Sequence, residues 1–113
     1  MIKDSVGFES FSALDIRVGT VKRVEIFAEA RKPAYKLWVD FGEEVGVLKS
    51  SAQITDCYNI EALIDMQVMG VVNFEPRQIA NFMSECLILG IYTERGVVLI
   101  IPKTDCKNGE KLG

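Results

Sequence analysis

Hydrophobic alternation is clearest in "YKLWVDFG", where Tyr35, Leu37, Val39 and Phe41 share one face and Lys36, Trp38 and Asp40 share the other. A period of two predicts a half-buried strand. "GEEVG" (Gly42 to Gly46) then reads as a hairpin turn, and "VLKSSAQI" (Val47 to Ile54) as the returning strand, unusually polar at Lys49, Ser50, Ser51 and Gln53. Upstream, "IRVGTVKRVEIF" (Ile16 to Phe27) is β-branched and partly alternating, and Gly19 interrupts it as a bulge or tight bend would require. "AEARKPA" breaks the pattern with polar residues and Pro33. "FSALD" (Phe11 to Asp15) predicts a turn of helix with Ser12 as N-cap. "TDCYNIEALID" (Thr55 to Asp65) predicts the main helix, capped by Thr55 or Asp56, with Tyr58, Ala62 and Leu63 as its apolar stripe. "MQVMGVVNF" (Met66 to Phe74) is a strand apolar on both faces. "ECLILGIYT" (Glu85 to Thr93) and "VVLIIP" (Val97 to Pro102) flank the turn "ERG". The polar tail "KTDCKNGEKLG" carries an Asn108-Gly109 turn.

The predicted order is three strands, one helix, then two strands and a further short one. Short strands with a single helix after the third fit an OB-fold: an all-β, five-stranded barrel with one short helix, an extra short strand and an N-terminal extension over residues 1–15. Another small barrel or sandwich of similar strand count is the runner-up. The 113 residues predict one domain, and 49% hydrophobic residues suffice for one core.

Composition narrows the chemistry. There is no His, which removes the commonest general base and the Ser-His and Cys-His nucleophile arrangements. Cys57, Cys86 and Cys106 are scattered and form no CxxC, so a metal site is not expected and reduced thiols are. No phosphate-loop, dinucleotide or GxSxG motif occurs, and no carboxylate pair stands out, so no catalytic residue is assigned. The longest apolar run, Val97 to Ile101, is too short to span a membrane, and the N-terminus lacks a signal-peptide core. A cytoplasmic protein without membrane insertion is the expectation.

The net charge of −3 argues against a generic nucleic-acid coat protein, but the charges are segregated. Between Arg17 and Lys36 lie six bases against Glu25 and Glu29; between Leu37 and Pro76 only Lys49 faces seven acids. OB-folds bind ligands on strands 2 and 3 and through loops 1–2 and 4–5. Here those are "AEARKPA" with Arg31 and Lys32, "KSSAQ" on strand 3, and "EPRQIANFM" with Arg77. The topology therefore predicts that bases and amides gather at one end of the barrel.

"DIRVGTV", "EARKPAYKLWVDFG", "KSSAQIT", "VVNFEPRQIANFMSECLILG" and the closing "VVLIIP" resemble the CsaA family, over roughly Phe8 to Pro102. CsaA proteins are small members of the tRNA-binding OB-fold superfamily. Related domains occur in methionyl-tRNA synthetases and in the phenylalanyl-tRNA synthetase β subunit. The resemblance implies an OB-fold homodimer without a cofactor and two activities: binding of tRNA or similar structured RNA, and export-related chaperone work on unfolded preproteins near the secretion machinery. One departure is Glu75, which stands where the family usually has the first of two prolines.

Each candidate has a functional and a structural reading. Arg31 and Lys32 suit phosphates, or are ordinary solvated turn charges. Lys49, Ser50, Ser51 and Gln53 suit phosphates, base edges, sugar hydroxyls or a peptide backbone; the serines equally suit local strand-end bonds. Asn73, Arg77, Ser84 and Glu85 lie where the chain changes direction, and either meet ligand or satisfy backbone groups at the bend. Glu85 is expected to read a base amine or pair with Arg77. Phe74, Phe82 and Trp38 suit stacking or an apolar groove, with core filling favoured for Phe74. The apolar N-terminal residues Val6, Phe8, Phe11 and Leu14, with the outward-facing Trp38, suggest a dimer contact.

Overall fold

A computed structural model describes residues 1–113. Five antiparallel strands form the main sheet: β1 (Ile16–Ile26), β2 (Tyr35–Asp40), β3 (Val47–Ala52), β4 (Gln67–Val71) and β7 (Leu87–Ile88), in the spatial order β3-β2-β1-β4-β7. The alternation in β2 places Leu37, Val39 and Phe41 inside, each fully buried, beside Val21 and Val68. Burying one such side chain contributes about 1.5–3 kcal/mol, which fixes which face of the strand turns inward. The sheet curls until β3 meets the segment before β7. There the Glu85 amide donates to the Lys49 carbonyl at 2.7 Å, leaving a nearly closed barrel. This is the expected OB-fold.

The helix between β3 and β4 is α2 (Ile60–Leu63), shorter than the periodicity predicts. Its cap is Asn59, whose side chain accepts from the Ala62 amide at 2.8 Å; Thr55 and Asp56 belong to the preceding turn. Leu63 is fully buried, whereas Ala62 is exposed. The N-terminal helix α1 (Phe8–Ser12) also starts earlier than expected. Gly7 caps it without a side-chain bond, and the Ser12 hydroxyl donates back to the Glu9 carbonyl at 3.3 Å.

Gly19 does not make a bulge. It pairs in register with Val68, and the β1 irregularity lies between Val21 and Arg23. Gly19 instead makes room for Phe41: a Cβ there would lie 2.7 Å from the ring, and one on Gly70 of the neighbouring strand 2.8 Å from it. The largest fully buried side chain is thus seated over glycines of two neighbouring strands.

Two further hairpins complete the fold. The segment read as loop 4–5 contains β5 (Arg77–Ile79) and β6 (Phe82–Ser84), turned through Ala80 at a φ of 52°. The predicted strand Glu85 to Thr93 is broken: β7 stays in the barrel, while β8 (Gly90–Thr93) pairs with β9 (Gly96–Leu99). The polar tail docks along β1, with Gly109 donating to Val18 at 2.8 Å and Leu112 to Ile16 at 2.8 Å. No helix is long and apolar enough to cross a membrane.

Candidate nucleic-acid interface

An open cleft of about 980 Å³ lies at one end of the barrel. Loop 1–2 contributes Arg31 and Lys32, the end of β3 contributes Ser51, Ala52 and Gln53, and the β5–β6 hairpin contributes Arg77, Ile79 and Ala80. These are the three segments that OB topology predicts to converge. The floor is apolar, formed by residues such as Ile54, Leu87, Ile88 and Val97, and Tyr92 stands at the edge. Three cations line the cleft and no carboxylate does.

The polar side chains of this cleft have no work within the fold. Arg31, Lys32 and Arg77 are exposed and form none of the chain's ion pairs. Only the Ser51 backbone is engaged, its amide donating to Ser84 Oγ at 3.3 Å, and Gln53 is exposed. Five predicted site residues, Arg31, Lys32, Ser51, Gln53 and Arg77, are therefore brought together with free donors.

The other candidates hold the barrel together. Ser50 is buried, and its hydroxyl donates to the Cys86 carbonyl at 2.8 Å, so it lies away from the cleft surface. Ser84 donates to the same carbonyl at 3.3 Å. Glu85 accepts from the Lys49 amide at 3.0 Å, completing a two-bond clamp with its own amide; it neither faces the cleft nor pairs with Arg77. Where β3 meets the strand that closes the barrel, backbone groups lack a full ladder, and these three side chains satisfy them. Asn73 bridges to the N-terminal extension, accepting from the Asp15 amide at 2.8 Å and donating to the Ala13 carbonyl at 2.9 Å.

The aromatic expectations change as well. Phe82 is buried, and with Phe27 and Ala34 it forms a small cluster that fastens the β5–β6 hairpin to the outer face of the sheet. Trp38 packs edge-on against Phe82 at 5.9 Å and lies under the Arg23 guanidinium at 4.5 Å, so its own chain covers it and it is not an exposed aromatic. Lys49 sits outside the cleft with its ammonium 5.2 Å from the Phe82 ring. Phe74 is exposed and does not fill the core, and Glu75 does not line the cleft.

Four ionisable groups outside the cleft, Asp15, Arg17, Glu44 and Cys86, are shifted by their surroundings. Arg17, counted among the basic stretch, is buried and donates to Asp15 at 2.8 Å and to Glu44 at 2.9 Å. Its hydrogen bonds hold both carboxyls below their ordinary range. Burial pushes the Cys86 thiol up to about 12.

Tyr92 and the apolar floor are what sequence reasoning missed. Tyr92 follows Gly90 on alternate positions of β8 and pairs with Val97, so Gly90, Tyr92 and Val97 share the face turned to the cleft. The alternation of "GIYT" was available as a signal, but which face lines the cleft was not.

Known proteins match this arrangement. The tRNA_bind family, described as "Putative tRNA binding domain", matches residues 16–111. Methionine–tRNA ligase of Pyrococcus horikoshii is 34% identical over 107 residues, covering 95% of this chain and 14% of that protein. The Bacteroides fragilis enzyme is 30% identical, covering 98% and 16% respectively. The chain thus spans about a seventh of the length of such relatives. Among solved structures, the CsaA chaperone protein of Picrophilus torridus superimposes with a TM-score of 0.93 at 48% identity, covering 96% of this chain and all of that one. Chaperone CsaA of Bacillus anthracis gives 0.91, also at 48% identity, covering 97% of this chain and all of its own. A barrel with these loops, matched across its length both by the domain family and by these structures, places the chain in the tRNA-binding domain family and, within it, in the CsaA family.

Proposed function

We propose that the chain is a non-catalytic module, a single OB unit over residues 1–113, that binds tRNA or similarly structured RNA through the cleft. The observation that carries this reading is the charge of the lining. In an acidic chain, three unpaired cations and no carboxylate surround one cleft. Such a site attracts phosphates irrespective of sequence, since neutralising them releases condensed counterions. Arg31 and Arg77 add fork geometry suited to two phosphate oxygens. Ser51 and Gln53 offer neutral donors and acceptors for sugars or base edges.

The test is titration of deacylated tRNA at low salt against the wild type and a double charge reversal, Arg31→Glu with Arg77→Glu. Tight binding by the wild type and its loss in the reversed protein are expected. No binding by the wild type at low salt would end the RNA reading.

A second reading has its own support. The apolar cleft floor suits an extended apolar segment, and two similar structures are named as chaperones. Under this reading the module holds unfolded preproteins, with the secretion machinery as a downstream partner. An unfolded client competing tRNA from the cleft, with affinity insensitive to salt, would favour it.

Self-association is proposed through the N-terminal helix. Phe8 is 75% exposed, Phe11 38% and Leu14 36%, an apolar set without cover in one chain. Trp38 is not part of that set. A monomeric mass in sedimentation at micromolar concentration would rule a tight homodimer out.

A further inference from the structure

We propose that the RNA element entering the cleft is unpaired, and that Tyr92 is the platform on which its base stacks. The proposal rests on the RNA reading above and adds the class of RNA element to it.

The argument starts from a mismatch between the cleft and a duplex. A double helix presents phosphates and sugar hydroxyls; its base faces are hidden in the stack. Cations alone would suffice to hold it. This cleft instead places an apolar floor beneath its cations, with Ile54, Leu87 and Val97 among its walls. An unstacked nucleotide matches both layers, because its phosphate meets Arg31, Lys32 or Arg77 while its base covers apolar surface.

Tyr92 supplies the second observation. It is 93% exposed, yet it lies on the cleft face of β8 beside Val97. Its hydroxyl takes part in none of the side-chain hydrogen bonds that fix the other tyrosines: Tyr35 donates to the Tyr58 carbonyl, and the Leu99 amide donates to the Tyr58 hydroxyl. Tyr35 and Tyr58 are built into the fold, and Tyr92 is not. A large ring left uncovered at the edge of a cationic cleft suits base stacking. Across the cleft, Gln53 carries a carbonyl and an amide free to meet a base edge.

The test measures binding by fluorescence anisotropy. The probes are a short single-stranded oligoribonucleotide, the same strand annealed to its complement, and deacylated tRNA. The single strand and tRNA are expected to bind, with the duplex at least about tenfold weaker, and Tyr92→Ala is expected to cost about tenfold on the single strand, as loss of one stacked base does. The salt slope stays unchanged in that variant because no phosphate contact is lost, and Tyr92→Phe restores affinity because only the ring is needed. If the duplex binds as well as the single strand, or if Tyr92→Ala binds normally, the proposal is overturned while RNA binding stands. If no RNA binds, or only an apolar peptide does, the underlying RNA reading is overturned with it.

Discussion

Arg77→Gln tests the assignment of the cleft by counting charges. Three cations line it, and each phosphate neutralised contributes about 0.7 (single strand) to 0.9 (duplex) to the slope of log affinity against log salt. Three contacts predict a slope of about −2.1 to −2.7, and a fall in affinity of about 20- to 40-fold between about 50 and about 200 mM KCl. Removing Arg77 leaves two contacts, a slope of about −1.4 to −1.8, and a fall of only about 7- to 12-fold over the same range. The variant should therefore lose about threefold more affinity at the low-salt end than at the high-salt end. Filter binding of deacylated tRNA at four or five salt concentrations measures this directly. Lys22→Gln is the control, because Lys22 is exposed, pairs with Asp65 at 3.4 Å and lies outside the cleft. An Arg77→Gln slope equal to that of the wild type, or an equal change in the Lys22→Gln control, would refute the placement of phosphates in the cleft.

The remaining predictions concern the frame around the cleft. Ser50→Ala strips the buried Cys86 carbonyl of its shortest side-chain donor, at a cost of about 1–3 kcal/mol. For a domain of this size that lowers the melting temperature by roughly 4–12 °C in calorimetry, with RNA affinity of the folded protein unchanged. Cys86, whose burial raises its thiol to about 12, should resist maleimide near neutral pH until the protein unfolds, whereas the exposed Cys57 reacts at once. Asp15 and Glu44 have folded-state pKa values held down by Arg17, so their contribution is complete above the ordinary carboxylate range and disappears as pH falls through the depressed values. Thermal melts of wild type and Arg17→Met should accordingly differ at neutral pH and converge in strong acid; a gap independent of pH would show that Arg17 acts by packing alone.

Much of the barrel was legible because alternation reports burial directly. Leu37, Val39 and Phe41 recur at a period of two and are fully buried. The turns were legible for a similar local reason: Gly42, Gly46, Gly96 and Gly109 all adopt the positive φ that their turn positions require. The β5–β6 hairpin was not legible. Its turn runs through Ala80, a residue without turn chemistry, and its anchor is Phe82 packing on Phe27 and Ala34, far away in sequence. Nor could Arg17 be separated from the surface bases, since its carboxylate partner Glu44 lies 27 positions on, across the β2–β3 turn. Position in the chain located the cleft segments. It could not say which polar residues in those segments the fold itself would consume.

That distinction decides the site. "KSSAQ" and "MSE" both offer serine hydroxyls and longer polar side chains, yet their fates differ according to distance from the barrel seam. At the seam, β3 and the segment before β7 share one backbone hydrogen bond, and Ser50, Ser84 and Glu85 fill the rest of the ladder. Beyond it, Ser51 and Gln53 have nothing left to satisfy and turn to the cleft. The same division separates the bases, because Arg17 is neutralised by two carboxylates whereas Arg31, Lys32 and Arg77 have none. Arg77 reaches the cleft from a hairpin held by Phe82, so a packing cluster on the outer face sets where one of the three charges stands. The proposed binding surface is assembled from residues the fold leaves unemployed and can change its ligand preference without loss of stability, whereas Ser50, Glu85 and Phe82 cannot change without loosening the barrel that supports it.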